Sequence, residues 1–368
     1  MTGVPLLERA ATQTRNGIRV TVSVPSDDES ERLFGASLAA HGIQPVWLRI
    51  ENGTEYAYWF APLELDPRYF TPLEAANRAR YRFSPGENQE MAAYFLSSAI
   101  RSYAGPGQNI VGWVFTTLDR GIKTVNVELI GPQRHEVFFF MLRIPGLRAD
   151  YQEADLRALS VSEGIHSVNE SALRSALEDL PCCATTENGR GTEDPLNFVL
   201  IGTPDDVFPS LARADWHVAE VLQGPSALRT FWSYFFGGRY RYAPISAVYL
   251  FGRRQDMSLQ KTRETARERN HLRIWGTSLS LEGKRVWVGQ ISRDIGLSFS
   301  WSKFVAHEVD PDVDEARNYL LQDMLRTQRL SRFGWVKGVG RTPSSAPRYM
   351  DDGTPFFTDG LRAVMFFG

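Results

Sequence analysis

Arginine, histidine and aspartate crowd into one stretch of this chain, residues 253–314, between segments rich in apolar residues. Three groups could do chemistry: Arg253, Arg254, Gln255 and Asp256; then Arg269, His271 and Arg273; then His307 and Asp310. A guanidinium presents a planar fork of donors that matches carboxylate or phosphate oxygens. An imidazole beside a carboxylate can hold or move a proton near neutral pH. Between Arg229 and Arg273, nine arginines and one lysine stand against Asp256, Glu264 and Glu268, a local excess of seven positive charges. The expectation is a site for an anionic group. Arg253, Arg254, Gln255, Arg269 and Arg273 are its ligand-binding candidates, and His271, His307, Asp256 and Asp310 its acid/base candidates.

Each group also has a plainer reading. In an extended segment Arg269, His271, Arg273 and Trp275 project to one face, and Leu272 and Ile274 to the other. That face would border a cleft or be an ordinary solvated sheet surface. Arg253 to Asp256 follow the apolar run 248–251, and the end of a buried strand is where open sheets often place ligand contacts. The plain alternative is a turn in which Asp256 pairs with an arginine. The acids after His307 suggest a metal cluster at first sight. Their spacing fails as a calcium loop, because Glu315 and Leu321 occupy the positions that need Gly and Glu. No second histidine lies four residues from His307, so the zinc-protease pattern is missing too. Asp310 as a helix N-cap, Pro311 at the first helical position, and Asp312 and Asp314 at the positive end of the dipole account for the acids instead.

No metal and no cofactor is expected. The chain has no Walker loop, no Gly-x-Ser-x-Gly elbow, no dinucleotide fingerprint and no Cys-x-x-Cys. His41, His135, His166 and His217 are scattered and read as structural or solvated. The only two cysteines, Cys182 and Cys183, are adjacent and read as plain thiols in a loop.

The elements that must position these residues follow from pattern. A chain of 368 residues can bury a substantial core and suggests two domains. With 43% hydrophobic and 23% charged residues and a net charge of −2, it has a soluble, globular composition that argues against non-specific nucleic-acid binding. No apolar run approaches the length that crosses a bilayer. Strands are expected at 17–24, 46–50, 56–60, 110–116, 124–130 and 136–143, with Asn52-Gly53 as a hairpin turn and a helix at 89–103. This predicts an N-terminal immunoglobulin-like antiparallel β-sandwich with a helical insertion over 1–148. Residues 149–193, with a helix near 170–180 and a polar stretch at 185–192, read as a helical linker or arm. The remainder, 194–368, reads as a mixed α+β domain: a strand at 197–201, helices at 204–214 and 225–236, strands at 248–251, 272–275 and 286–291, a helix at 313–327 and a last strand at 363–367. The overall class is α+β.

The segments 194–202, 243–256, 269–275 and 307–314 together resemble the LssY C-terminal domain family, over about residues 194–367. Two positions depart from its pattern, which often carries consecutive histidines: here Asn270 precedes His271, and Glu308 follows His307. The departure counts against a multi-histidine metal centre. The resemblance implies a domain found alone or behind membrane modules. Stand-alone members look like envelope lipoproteins, whose opening resembles residues 5–21. An extracytoplasmic, membrane-associated protein is therefore expected, with its signal or anchor absent from this sequence. The leading functional expectation is an envelope protein whose C-terminal domain binds an anionic small molecule, such as a lipid or glycan phosphate. The alternatives are a phosphoester hydrolase with a histidine acid/base and a non-catalytic interaction scaffold.

Overall fold

A computed structural model describes residues 5–81, 84–119, 122–145, 164–218, 247–262, 269–298 and 306–368, with only the backbone at 122, 262, 296–298 and 306–308. The chain divides into two units, Met1–Ala149 and Asp150–Gly368, and the architecture is mixed α+β.

The first unit holds two four-stranded antiparallel sheets. One runs in the order β1 (Ala11–Arg15), β2 (Ile18–Ser23), β3 (Ile43–Asn52), β6 (Asn109–Thr117). The other runs β5 (Tyr103–Ala104), β4 (Tyr58–Phe60), β7 (Ile122–Gly131), β8 (Arg134–Arg143). Alternation supplies the core. Ile18, Val20 and Val22 of β2 and Val46, Leu48 and Ile50 of β3 meet Val125, Val127, Phe138 and Phe140 from the other sheet in one apolar cluster. Helix α1 (Asp27–Phe34) starts on a capping box between Ser26 and Glu29.

Helices α2 (Pro62–Leu65), α3 (Pro72–Ala79) and α4 (Pro85–Ser98) form the insertion between β4 and β5. Phe34, Phe95, Trp113 and Phe115 belong to a second cluster, with α3 and α4 packed beside β6. Burial of an aromatic ring such as Phe95 stabilises by roughly 2–3 kcal/mol.

Asn52-Gly53 is not the hairpin turn its sequence suggests, because β3 pairs with β2 and β6 while β4 pairs with β5 and β7. The Asn52 amide donates to the carbonyls of Tyr56, Ala104 and Gly105, at 2.7, 3.1 and 2.9 Å. Gly53 donates to Gly17 O, and a Cβ there would come within 2.9 Å of that oxygen. The pair steers the chain from one sheet to the other. Helix α4 also ends sooner than the pattern predicts, since Tyr103 is drawn into β5.

The second unit is built on one mixed sheet in the order β11 (His217–Val218), β14 (Met257–Thr262), β15 (Arg269–Leu281), β16 (Lys284–Ser298), β10 (Phe198–Ile201), β21 (Leu361–Phe367), β18 (Leu330–Lys337). Strand β9 (His166–Ser167) adds to β15, and β17 (Ala306–Val309) to β16. The β15–β16 hairpin turns at Glu282-Gly283, where both residues take left-handed φ, 53° and 76°.

Helix α5 (Glu170–Glu178) covers one face of this sheet. Its Leu173 and Leu177 join Val199, Ile201, Trp275, Val286 and Val288 in one cluster. Helices α6 (Pro204–Arg213) and α7 (Val313–Arg326) cover the other face. There Phe208 packs edge-on against Trp287, Trp216 Nε1 donates to Asp323, and Arg293 lies over Tyr319.

Three expectations are corrected here. Residues read as a linker belong to this unit, because Leu173, Leu177, Ala184 and Leu196 lie in its core. Arg362 pins the end of α5: fully buried, it donates to the carbonyls of Leu177, Leu180, Pro181, Leu196 and Gly338. The N-cap of α7 is Asp312 rather than Asp310, because Asp310 Oδ1 takes the Asp312 amide in a turn of its own and the helix begins at Val313. Cys182 and Cys183 are joined in a disulfide. Cys183 is buried against Val313, Met350 and Phe356, and the Leu196 amide donates to the Cys182 carbonyl. The helix expected at 225–236 lies outside the described residues.

Candidate functional site

Strands β14, β15 and β16 set the site through their register. Arg269 stands opposite Asp294; His271 lies between Gln260 and Ser292; Arg273 lies between Ser258 and Gln290. Side chains alternate along a strand, so these eight share one face, the face that also carries Trp275 and Val288. The α5 side of the sheet is therefore apolar near β10 and β21 and polar at β14–β16. All eight residues are buried. Charges withdrawn from water in this way must be paired.

The pairs are present. His271 Nε2 lies 2.6 Å from Asp294 Oδ2, and Arg269 Nε donates to the same oxygen at 3.1 Å. Arg269 Nη1 also reaches Gln260 Oε1 at 3.3 Å. Arg273 Nη1 and Gln290 Nε2 both donate to Asp194 Oδ2, at 3.2 and 2.9 Å. Asp194 comes from a hairpin fastened by Ala184 N–H to Asp194 O and Glu193 N–H to Ala184 O.

Not every polar atom is satisfied. Among the described residues of the second unit, six buried side-chain atoms lack a hydrogen-bond partner. Five of them are on this face: Gln260 Nε2, His271 Nδ1, Arg273 Nε, Trp275 Nε1 and Gln290 Oε1. Folded proteins pair nearly all such atoms, so a concentration on one face points to a ligand or bound water.

Titration behaviour follows from burial and neighbours. Burial, aided by the charges of Arg269 and Arg273, pushes His271 down to about 4 against the pull of Asp294. At neutral pH the ring is uncharged, Nε2–H donates to the Asp294 carboxylate, and Nδ1 carries a bare lone pair. Burial raises Asp194 above the usual carboxylate range although Arg273 opposes it; Glu193 is raised by burial and by Asp194.

Residues 174–361 match the family described as LssY C-terminus. The chain belongs to this family. No curated protein and no solved structure matches it. The LssY C-terminus match begins within α5 and takes in the whole β10–β16 part of the sheet and α7, so the polar face lies within it.

Of the residues singled out in the sequence, Arg269, His271 and Arg273 come together on the polar face. Gln255 reaches its edge, donating to Ser258 Oγ at 3.1 Å while its Oε1 accepts from Val248 N at 3.0 Å. Arg253 and Asp256 do not join them. Asp256 pairs with Arg253 and accepts the Gly276 amide at 2.6 Å, five residues along β15 from His271, roughly 17 Å of strand. Asp256 therefore does not orient His271; Asp294 does. Arg254 sits on the short hairpin of β12 (Tyr249–Leu250) and β13 (Arg253–Arg254), where its Nε donates to the Tyr249 hydroxyl at 2.7 Å. Asp310 is engaged in its turn before α7, where its Oδ1 accepts the Asp312 amide. His307 is placed by backbone only, opposite Leu297 in β17, and its side chain lies outside the described residues.

Asp194, Gln260, Gln290 and Asp294 were missed in the sequence. A signal existed: Ser258-x-Gln260 and Gln290-x-Ser292-x-Asp294 repeat the two-residue polar spacing of Arg269-x-His271-x-Arg273. Three such runs mark one polar sheet face once pairing is known. The excess of positive charge also shrinks, since Arg269 and Arg273 meet acids from outside the window in which they were counted.

Proposed function

We propose that the C-terminal unit binds an anionic, phosphate-bearing ligand of lipid or glycan origin on the polar face of β14–β16. The observation that carries this reading is the set of five buried polar atoms without partners, three of them donors. Arg273 Nε, Gln260 Nε2 and Trp275 Nε1 would give hydrogen bonds to phosphate oxygens, the charged one being the strongest. The anion competes with Asp194 for Arg273. Asp194 is already inclined to take up a proton, so binding tightens as pH falls.

The test is calorimetric titration of the full chain with inorganic phosphate at low ionic strength. Wild type binds, more tightly at pH 6 than at pH 8, and Gln260→Leu weakens binding by about tenfold. No heat of binding with millimolar inorganic phosphate or with a millimolar phosphate monoester ends the reading.

The His271–Asp294 pair favours a second reading, hydrolysis of a phosphoester. His271 Nδ1 would take the proton of an attacking water while Asp294 steadies the ring. Its lowered basicity makes it a weak base at this task, which is why binding stands first. Absence of turnover over a panel of phosphoesters, with and without divalent metals, removes the second reading.

The proposal extends to an extracytoplasmic, membrane-associated setting. Family membership supports it, as does the Cys182–Cys183 disulfide, a bond that persists in oxidising compartments.

A further inference from the structure

We infer that the ligand carries a free hydroxyl beside its phosphate, as a polyol phosphate does, and that His271 Nδ1 is the acceptor that selects for it. This rests on the reading of the polar face as a ligand site and adds the chemical class of the ligand.

The argument is an inventory of donors and acceptors. Three of the unpartnered atoms are donors, on Arg273, Gln260 and Trp275; two are acceptors, His271 Nδ1 and Gln290 Oε1. A fully ionised phosphate offers only acceptor oxygens. It would satisfy the donors and leave Nδ1 and Oε1 facing lone pairs, an arrangement that costs the desolvation of both acceptors. The imidazole cannot turn donor to meet it. Its Nε2–H is committed to Asp294 at 2.6 Å, and Arg269 donates to the same oxygen at 3.1 Å. The ligand must bring hydrogen-bond donors as well as acceptors.

Register sets the scale. His271 sits directly beside Gln260, and Arg273 directly beside Gln290, each an acceptor next to a donor on the neighbouring strand. Adjacent strands lie about 4.8 Å apart and alternate residues of one strand about 7 Å apart. A phosphate and a hydroxyl on a short carbon skeleton can span that patch. Charge agrees. Arg269 and Arg273 are matched by Asp294 and Asp194, so the site has little net charge to offer a bare multivalent anion. A neutral polyol arm attached to a phosphate suits it better.

Calorimetric titration of the full chain with glycerol 3-phosphate, methyl phosphate and inorganic phosphate tests this. Glycerol 3-phosphate is expected to bind at least about tenfold more tightly than methyl phosphate, since a site built to pair with a hydroxyl rejects an analogue that lacks it. His271→Phe is expected to bring glycerol 3-phosphate to the methyl phosphate level. On the unsubstituted protein, the ¹⁵N resonance of His271 Nδ1 should move with glycerol 3-phosphate and stay with methyl phosphate. That measurement holds if the variant fails to fold.

Equal binding of the three probes with an unmoved Nδ1 resonance overturns the inference and leaves the anion site standing. Binding of none overturns both, and the face is then a hydrated interior. Phosphatidylcholine vesicles doped with phosphatidylglycerol or with phosphatidic acid separate the sources. Preference for phosphatidylglycerol, which carries hydroxyls beside its phosphate, supports a lipid headgroup; glycerol 3-phosphate binding without vesicle binding supports a soluble or glycan phosphate. Preference for phosphatidic acid refutes the hydroxyl requirement.

Discussion

Acidification should weaken the second unit through His271, and the size of the effect can be worked out. In the folded chain the ring titrates near 4; in the unfolded chain it titrates near its ordinary value of 6.5. As pH falls from neutral, the unfolded state therefore binds the proton first. The stability present above pH 6.5 is lost progressively, and the loss is complete once pH falls through about 4. The full shift corresponds to about 3 kcal/mol, of which about 2 kcal/mol is gone by pH 5. Asp194 and Glu193 act in the opposite sense, because raised carboxyls gain stability as pH falls through their folded values. The wild-type curve alone mixes these contributions. The measurement is urea unfolding followed by tryptophan fluorescence at several pH values, for wild type and His271→Gln. Glutamine keeps an amide donor for Asp294 and does not titrate. Between pH 7.5 and pH 5 wild type should lose about 2 kcal/mol more than the variant. Parallel pH profiles, or a His271 resonance titrating near 6.5, would refute the buried, neutral imidazole on which the site depends.

Two further outcomes concern packing around the site. Arg362→Met leaves five carbonyls at the end of α5 and nearby without their donor, so it should cost at least about 3 kcal/mol in chemical denaturation; a change under about 1 kcal/mol would show that water replaces the guanidinium. Gly289→Ala puts a Cβ 2.2 Å from the Phe198 ring and 2.6 Å from Arg273 O, so overpacking should lower stability by about 2 kcal/mol or more, and an unchanged unfolding midpoint would contradict the close β10–β16 contact.

Much of the local structure was legible because it is written in short-range pattern. The polar spacing of Arg269, His271 and Arg273 against Leu272 and Ile274 gave the two faces of β15. What the sequence hid is long-range. Nothing near Arg269 or Arg273 announces that Asp294 and Asp194 will be their partners, because pairing of β16 with β15 and the fold of the 184–194 hairpin decide it. Asn52-Gly53 carries a hairpin signature, but neighbouring carbonyls from another sheet capture the Asn52 amide. Asp310 and Asp312 are both good caps, and a turn closed by Asp310 hands the role to Asp312. The 149–193 segment looked like a connector because its polar stretch hides two leucines of α5 that the sheet needs.

The place of β21 sets an order of events during synthesis. It lies between β10, to which it runs parallel, and β18, to which it runs antiparallel. Phe198 pairs with Ala363, so β10 emerges from the ribosome long before its neighbour exists. Until Leu361–Phe367 follows, the rim Phe198–Ile201 is open, and β18 has no partner among the described strands. Such a rim invites pairing between nascent chains. The second unit can close its sheet only after translation has passed residue 367, and the interval before that is when it is most exposed to aggregation and most in need of a chaperone.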